Sequence, residues 1–475
     1  MSGIVGIINL DFAPVDNLLL GRLTRALSFR GPDGLSTRAD RYAGFGHALL
    51  STAADARSDG AQIGCGDLWI TDDARIDGRA ELIEKLESKI GVDLKGATDR
   101  ELIRSAYVAW GDECVSHLIG DFSFAVWDCR RERLFCARDH FGIKPFYYAV
   151  AGRTLIFSNT LDVLRACPQV SDALNDQALA DFLLDDLNHS SDTTAFRGIR
   201  RLPAAHYLTW SKGSLKIARY WQLPVDEPLR YRDSKDYFDH FKQLLDAAVS
   251  DRLPTRSAGM LMSGGVDSTA VVTTARELVS EGAGAFDLRG YTAVYDRLIP
   301  DRERYYAGLS AKALGIPITY HQLDDYRLYE RFDSPEIHKP EPRHWPLEAQ
   351  TRDLYARIAA RHRVCLTGDG GDPVSYYGSL LNTPLFYKHI PAAIGYLFSR
   401  RRVPGIGLRT SIKRLLGKYS TPIEAPAWID PDFAARADLR ARLEEINREP
   451  PVIHPRHARA YQYLSSNYWQ TAFES

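Results

Sequence analysis

The sequence predicts two domains in series. A mostly β first part with helices between its strands runs to about residue 205, and a doubly wound, parallel α/β sheet runs from about residue 235 to the end. Three observations carry this reading. The chain has 475 residues, enough for two or three domains with cores of their own. Up to residue 205, short apolar or alternating runs recur between turn residues. Beyond 235, strand-length apolar runs alternate with helical patterns, as repeated βαβ units do.

In the first part, Gly3 to Asn9 is a buried-strand run, and the leucine spacing from Asp16 to Leu27 predicts a helix. Arg30–Gly34 is a loop, and Gly44–His47 leads a second apolar strand. Thr98 to Trp110 reads as an amphipathic helix. Gly120–Asp128 and Arg133–Ala137 alternate like paired strands, and Thr154–Ser158 follows the loop-forming stretch Arg138–Tyr147. Residues 206–234 are expected to be a linker, closing with Tyr220-Trp221 and the turn residues Pro224, Asp226, Glu227 and Pro228.

From Lys235 to Arg252 a helix is expected, with Tyr237, Phe238, Phe241, Leu244, Leu245 and Val249 on one apolar face. It feeds an apolar run, Gly259 to Met262, that opens into Ser263, Gly264, Gly265, Val266, Asp267 and Ser268 before a helix from Thr269. Adjacent glycines let the backbone turn and aim N–H groups into one hollow, and the positive end of the next helix points there too. Such a hollow suits phosphate; an ordinary structural turn would look the same. Asp267 would hold Mg²⁺ rather than phosphate. The spacing and Lys of a Walker A loop are missing. Strands at Arg289–Tyr295 and Pro317–Leu323, and helices at Arg302–Leu314 and Leu347–Arg361, continue the alternation. A last strand, Arg363–Thr367, runs into Gly368, Asp369, Gly370, Gly371, Asp372 and Pro373. If it lies in the same sheet, both loops open on one crevice, where Asp267 and Asp372 could share a metal; solvated turn acids are the plainer alternative.

Together the two loops resemble the pyrophosphate-loop ATP site of the asparagine synthetase family. The resemblance implies ATP and Mg²⁺, adenylation of a carboxylate, and release of AMP and pyrophosphate. It implies a nucleotide cradle of Ser263, Gly264, Gly265, Asp267, Ser268, Thr367, Gly368, Gly370 and Gly371, with Asp267 and Asp372 on the metal and Asp369 and Asp267 as catalytic acids. Strand ends near Thr292 and His321 would frame the adenine and ribose, with His321 a packed strand histidine rather than a base. Residues 1–205, in the order given, resemble the class II, N-terminal-nucleophile (Ntn) glutaminase domain, whose αββα fold stacks two sheets between helix layers. That family carries Cys after Met1 and an Asn-Gly-Glu stretch for oxyanion and substrate contacts. Here the residues are Ser2 and Asp73-Ala-Arg75. Losing the thiol and the oxyanion donor together removes transition-state stabilisation twice, so the domain is expected to be a degenerate amidotransferase kept as scaffold or docking surface.

Composition excludes several classes. With 60 basic and 61 acidic side chains the net charge is −1, which gives no argument for nucleic acid. No apolar run reaches a membrane span, and no basic-then-apolar start marks a signal peptide. Six cysteines without C-x-x-C spacing favour free thiols in a reducing cytoplasm. Residues 373–423 hold no Asp or Glu but eight Lys and Arg, among them Lys388, Lys413 and Lys418, either a solvated basic face or an electropositive wall near the ATP cleft.

A degenerate amidotransferase leaves the amine to come from elsewhere. His338-Lys-Pro-Glu-Pro342 and Gly371-Asp372-Pro373 resemble lasso peptide cyclases. These join an Asp or Glu side chain of a precursor peptide to its own N-terminal amine, beside a leader-recognition protein and a leader peptidase. The alternatives are a glutamine-independent asparagine synthetase, a β-lactam or carbapenam synthetase-like ligase, or a non-catalytic binding relative. The family's Glu-x-Arg-x-Pro-Phe-x-Asp segment and its pyrophosphate-gripping Lys would begin where the sequence stops, after Asn467–Ser475. The expectation is a chain either cut short or without that Lys, and the pyrophosphate Lys is left unassigned.

Overall fold

The computed structural model describes residues 1–52, 63–64, 66–224, 229–254, 256–281, 285–371, 426–446, 461 and 463–464. In chain order the strands are β1 (Gly3–Asn9), β2 (Gly34–Asp40), β3 (Ala43–Leu49), β4 (Leu68–Asp77), β5 (Ile119–Asp128), β6 (Arg133–Arg138), β7 (Tyr147–Ala151), β8 (Thr154–Ser158), β9 (Arg200–Arg201), β10 (His206–Ser211), β11 (Ser214–Arg219), β12 (Ser257–Leu261), β13 (Asp287–Val294), β14 (Ile318–Gln322) and β15 (Cys365–Leu366). The helices are α1 (Asn17–Ala26), α2 (Arg79–Ile90), α3 (Asp99–Trp110), α4 (Leu161–Arg165), α5 (Asp176–Asp185), α6 (Ser234–Ser250), α7 (Val266–Glu281), α8 (Glu303–Leu314), α9 (Glu348–Ala359), α10 (Pro431–Arg436) and α11 (Leu439–Ile446).

The first domain is an αββα sandwich. One sheet has the order β2-β3-β1-β8-β7-β9 and the other β11-β10-β6-β5-β4. Because β1 is covered on both faces, Ile4, Val5, Ile7 and Ile8 are all buried, which explains its unbroken apolar run. Ile4, Ile8, Phe45, Trp69, Leu134 and Phe157 fill the space between the sheets. Outside them, α1 and α4 cover the first sheet through Leu20, Leu23 and Leu164, and α2 and α3 cover the second through Leu86, Leu102 and Ile103. Helix starts are locally encoded. Asp16 caps α1 by accepting from the N–H groups of Leu18 and Leu19, and Thr98 and Glu101 close a capping box on α3. Each such cap is worth about 1 kcal/mol.

This domain extends past residue 205. The expected linker begins with a hairpin, β10–β11, and β10 pairs antiparallel with β6 over Tyr207–Ser211. Tyr220 and Trp221 follow the last strand of that sheet, β11. Leu208 and Trp210 are buried between the sheets.

The second domain contains a parallel four-stranded sheet of order β14-β13-β12-β15. Moving from β12 to β13 and β14 proceeds in one direction, and β15 then returns to the other side of β12. That reversal makes a topological switch point beside the carboxyl end of β12, the place where open α/β sheets bind ligands. Met260, Met262, Val272, Ala275, Leu288 and Ala311 form the core between sheet and helices. The helix expected from 235 is α6, but its apolar face is not fully covered among the described residues. Val249 is buried, whereas Phe238 and Phe241 are 66% and 63% exposed. With Leu245, Gly264, Tyr306 and Leu309 they line a cavity of about 590 Å³.

The two domains are tied together by ion pairs. Arg201 pairs with Glu341, Arg363 with Asp33, Arg252 with Asp77, and Arg442 of α11 with Asp181 of α5. The five described cysteines are free, Cys65 lying outside the described residues. No helix among the described residues is long and apolar enough to cross a membrane.

Candidate functional site

β12 ends at Leu261, and Met262 still donates to the Tyr291 carbonyl before the chain turns at Ser263. Gly264 has φ +76°, and a Cβ there would lie 2.5 Å from the backbone of Tyr306 and Ala307, so this turn excludes any side chain. The two serines clasp the loop shut. Their hydroxyl oxygens are 3.1 Å apart, the Ser263 N–H donates to Ser268 Oγ at 3.3 Å, and the Gly265 N–H donates to Ser263 Oγ at 3.2 Å. α7 begins at Val266, so its first-turn N–H groups face the loop with no carbonyl of their own helix to bond.

The second loop closes on the first. Met260 pairs with Leu366, which sets β15 beside β12. A Cβ on Gly368 would sit 2.6 Å from the Ser268 nitrogen, and one on Gly371 would sit 2.4 Å from the Asp267 carboxylate. Only glycine permits this approach. Thr367 Oγ1 accepts from the Asp369 N–H at 3.0 Å, which fixes the start of the turn, and Gly370 has φ +89°. The structure therefore brings Ser263, Gly264, Gly265, Asp267, Ser268, Thr367, Gly368, Asp369, Gly370 and Gly371 into one crevice. Asp372 lies outside the described residues, as do Lys388, Lys413, Lys418 and the whole acid-free stretch. Thr292 and His321 are both buried, and His321 Nε2 has no hydrogen-bond partner among the described residues. Burial, with Arg357 nearby, lowers its basicity, and it packs against Tyr326 as a strand histidine does.

A second polar centre lies at the N-terminus. The Ser2 N–H donates to Asp73 Oδ1 at 3.1 Å, and Lys144 Nζ reaches the same oxygen at 3.0 Å. Asn159 Nδ2 donates to the Ser2 carbonyl at 2.8 Å and to Asp73 Oδ2 at 3.3 Å, while Ser2 Oγ accepts from the Leu50 N–H. Burial alone would raise the Asp73 carboxyl, but Lys144, the N-terminal amine and Arg30 outweigh it and hold it below the usual carboxylate range. An ionised carboxylate accepts hydrogen bonds and donates none. Arg75 is turned away, bound to Asp77 and Asp121, which Arg252 of the other domain also approaches.

A third group includes two residues of the His338–Pro342 stretch, whose ion-pair partners the sequence does not announce. The segment after β14 carries Lys339, Glu341 and Arg343. Glu341 is buried against Arg201 and accepts from the Ala195 N–H at 2.7 Å, while Lys339 and Arg343 reach Glu348, the first residue of α9, at 3.4 and 3.7 Å.

Residues 1–221 match the family described as glutamine amidotransferase domain, and residues 240–472 match the family described as asparagine synthase. Asparagine synthetase (glutamine-hydrolyzing) 3 of Bacillus subtilis (strain 168) is 30% identical over 305 residues, 61% of this chain and 46% of that protein. Asparagine synthetase (glutamine-hydrolyzing) 2 of the same organism is 30% identical over 402 residues, 78% of this chain and 51% of that protein. Amidase chyE of Penicillium rubens is 26% identical over 291 residues, 58% of this chain and 42% of that protein. The chain spans about half the length of the curated relatives it matches.

Proposed function

The chain belongs to the asparagine synthetase-like family, an amidotransferase domain followed by an asparagine synthase domain, and on that premise we propose that it is an ATP-dependent, AMP-forming amide ligase acting as a lasso peptide cyclase. The observation that carries the ligase reading is the packing of Gly368–Gly371 onto Asp267 and Ser268 at the switch point of the parallel sheet. Among the described residues it brings backbone N–H groups and the Asp267 carboxylate to the place where ATP, here a substrate, would set its phosphates. Asp267 would hold Mg²⁺, which supplies positive charge against the phosphate oxygens. Ser263, Gly264, Gly265 and Ser268 would position the phosphates, and the helix start of α7 favours the pyrophosphate that leaves. Asp369, at the mouth of the second loop, would steer the amine that attacks the acyl-adenylate.

The lasso reading rests on the source of that amine. Asp73 stands beside Ser2 with a negative charge, where an amidase would need a hydrogen-bond donor for an oxyanion. The first domain is accordingly read as a non-hydrolysing amidotransferase. The amine then belongs to the substrate, and the resemblance of His338–Pro342 and Gly371–Pro373 to lasso cyclases selects a precursor peptide whose own N-terminus closes on an Asp or Glu side chain. A leader-recognition protein and a leader peptidase would be its partners, in the cytoplasm. The names of the relatives favour a second reading, asparagine formation from aspartate.

The test is pyrophosphate and AMP release from ATP–Mg²⁺ in two parallel reactions, one with aspartate and glutamine, one with a leader-free core peptide. Loss of one water mass from the peptide supports the cyclase. Asparagine in the first tube replaces it with an asparagine synthetase, and AMP release in neither removes both readings.

A further inference from the structure

We propose that Arg363 is a positioning residue: by tying the start of β15 to the Asp33 loop of the first domain, it sets the second glycine loop onto Asp267 and Ser268. The role in nucleotide use rests on the ligase reading above. β15 has little support of its own. Among the described residues it lies at the edge of the parallel sheet, with the ladder pairs Gly259–Cys365 and Met260–Leu366 and a bond from the Gly259 N–H to the Val364 carbonyl at 2.9 Å. So short a parallel ladder does little to fix the height of a strand along its sheet. The residues before it take separate holds. Arg361 bonds Asp287 at the base of β13, at 2.8 Å, and His362 is buried against the Tyr291 ring. Arg363 reaches out of its domain. Its two terminal nitrogens grip both oxygens of Asp33, with Nη2 2.9 Å from Oδ1, and Nη1 also donates to the Ser51 carbonyl at 2.9 Å. A forked contact of this kind fixes direction as well as distance.

The post that Arg363 grips is braced from several sides. Asp33 Oδ2 accepts from the Ser51 N–H at 2.8 Å, and the Asp33 N–H donates to the Leu49 carbonyl at 3.0 Å. A Cβ on Gly31 would lie 2.1 Å from the Ala48 carbonyl carbon, so this loop is pressed onto the end of β3. Arg30 Nε donates to Thr160 Oγ1 at 2.7 Å, and the Leu50 N–H is the donor to Ser2 Oγ at 3.1 Å. The Asp33 loop is thus built into the polar centre around Ser2. In the other direction, Gly368 follows Arg363 by five residues, about 16 Å of extended chain. There the two glycine loops touch so closely that a Cβ on Gly368 would meet the Ser268 nitrogen and one on Gly371 the Asp267 carboxylate. A slip of about 1 Å along β15 would press Gly368 into Ser268 or draw Gly371 off Asp267, and misplacement of that size is costly at a reacting site. A non-hydrolysing first domain would still be needed on this account, as the fixed end of the strand that carries the second loop.

Two measurements test this. Solvent reaches the Arg363–Asp33 pair, so it can bias the position of the loop by about fivefold at most. The first measurement is hydrogen–deuterium exchange of the intact protein in wild type, Arg363→Met and Asp33→Asn. Peptides covering 364–371 are expected to exchange about three- to fivefold faster in either variant, with those of β1 and β8 unchanged. Unchanged exchange over 364–371 overturns the proposal. The second is pyrophosphate–ATP exchange with the productive carboxylate. A loop in place for a smaller fraction of the time lowers apparent affinity by that fraction and leaves the assembled site as it was. The KM for ATP is therefore expected to rise about threefold in each variant with kcat within about twofold. The double variant should be no worse than either single one, because both remove the same contact. Losses that multiply in the double variant, or a fall in kcat with KM unchanged, overturn the assignment. Absence of pyrophosphate exchange in the unaltered protein with every carboxylate offered defeats the ligase reading instead, while hydrogen–deuterium exchange still judges the tie between Arg363 and the second loop.

Discussion

Lys144 Nζ and the Ser2 backbone N–H converge on one oxygen of Asp73, at 3.0 and 3.1 Å, inside the first domain. The side chains of Lys144 and Asp73 are 13% and 4% exposed, so this pair is shielded from solvent. Removing one member of a buried pair leaves the other uncompensated, at a cost of about 3 kcal/mol or more. Asp73→Asn is expected to destabilise the protein by that order in urea unfolding. Ser2→Ala, which removes only a hydroxyl accepting from Leu50, should leave pyrophosphate release with the productive substrate unchanged. A large loss of release in Ser2→Ala would show a nucleophile at work and end the non-hydrolysing reading.

A second buried group in this domain ties stability to pH. His47 is fully buried, with Nδ1 3.2 Å from Thr71 Oγ1 and Nε2 2.9 Å from Arg100. Burial, aided by the Arg100 charge, lowers its pKa to about 4. The unfolded chain, with an ordinary histidine near 6.5, binds this proton more readily than the native state between those values. Native stability is thus intact above about pH 6.5 and falls as pH drops toward 4, by about 3 kcal/mol in all. Denaturation midpoints measured between pH 7 and 4 should drop steeply in wild type and less so in His47→Gln. Equal slopes would show that His47 is not the group responsible.

What the sequence revealed and what it concealed divide by range. The two glycine loops were legible because their chemistry is local: a strand, two glycines, an acid and a helix start are adjacent in the chain, and Gly264 needs its positive φ wherever the sheet lies. The meeting of Gly371 with Asp267, more than a hundred residues apart, had only the rule about strand ends to suggest it. The pairing of Glu341 with Arg201 had no such rule, because nothing in a Pro-flanked Glu announces a partner in another domain. The β10–β11 hairpin carries weak local signal, since its pairing with β6 spans some seventy residues. The apolar face of α6 is legible from its spacing, yet periodicity says nothing about whether a cover exists, and Phe238 and Phe241 are largely exposed among the described residues.

The interdomain ion pairs should differ sharply in worth. Arg363 and Asp33 are 52% and 23% exposed, whereas Arg201 and Glu341 are 1% and 9% exposed. Solvent screens the first pair, so Arg363→Met is expected to change unfolding free energy by less than about 1 kcal/mol. Arg201→Met strands a buried carboxylate that also accepts the Ala195 N–H, at a cost of about 3–5 kcal/mol. Chemical denaturation of the two variants side by side checks the order. If Arg363→Met proves the more damaging, the first domain is held to the second through the Asp33 loop and not through Glu341.

The strictest test of the proposed nucleotide site is one methyl group. A Cβ on Gly371 would fall 2.4 Å from the carboxylate carbon and oxygen of Asp267 and 2.9 Å from its Cβ, a separation no real side chain tolerates. The carboxylate or the loop must move, and Asp267 is the residue proposed above to hold Mg²⁺. Gly371 is only partly buried, so strain can be relieved locally and the fold should persist. Gly371→Ala is therefore expected to keep the wild-type thermal midpoint within a few degrees while lowering kcat/KM for ATP-dependent pyrophosphate release at least about tenfold, a barrier increase of roughly 1.4 kcal/mol. Raising Mg²⁺ should recover part of that loss, because a displaced carboxylate binds the ion more weakly without losing it. Asp267→Ala should lose the activity without such recovery. Wild-type kinetics in Gly371→Ala would mean that the two loops part when substrate binds, and that Asp267 meets its metal from a position other than the one seen here.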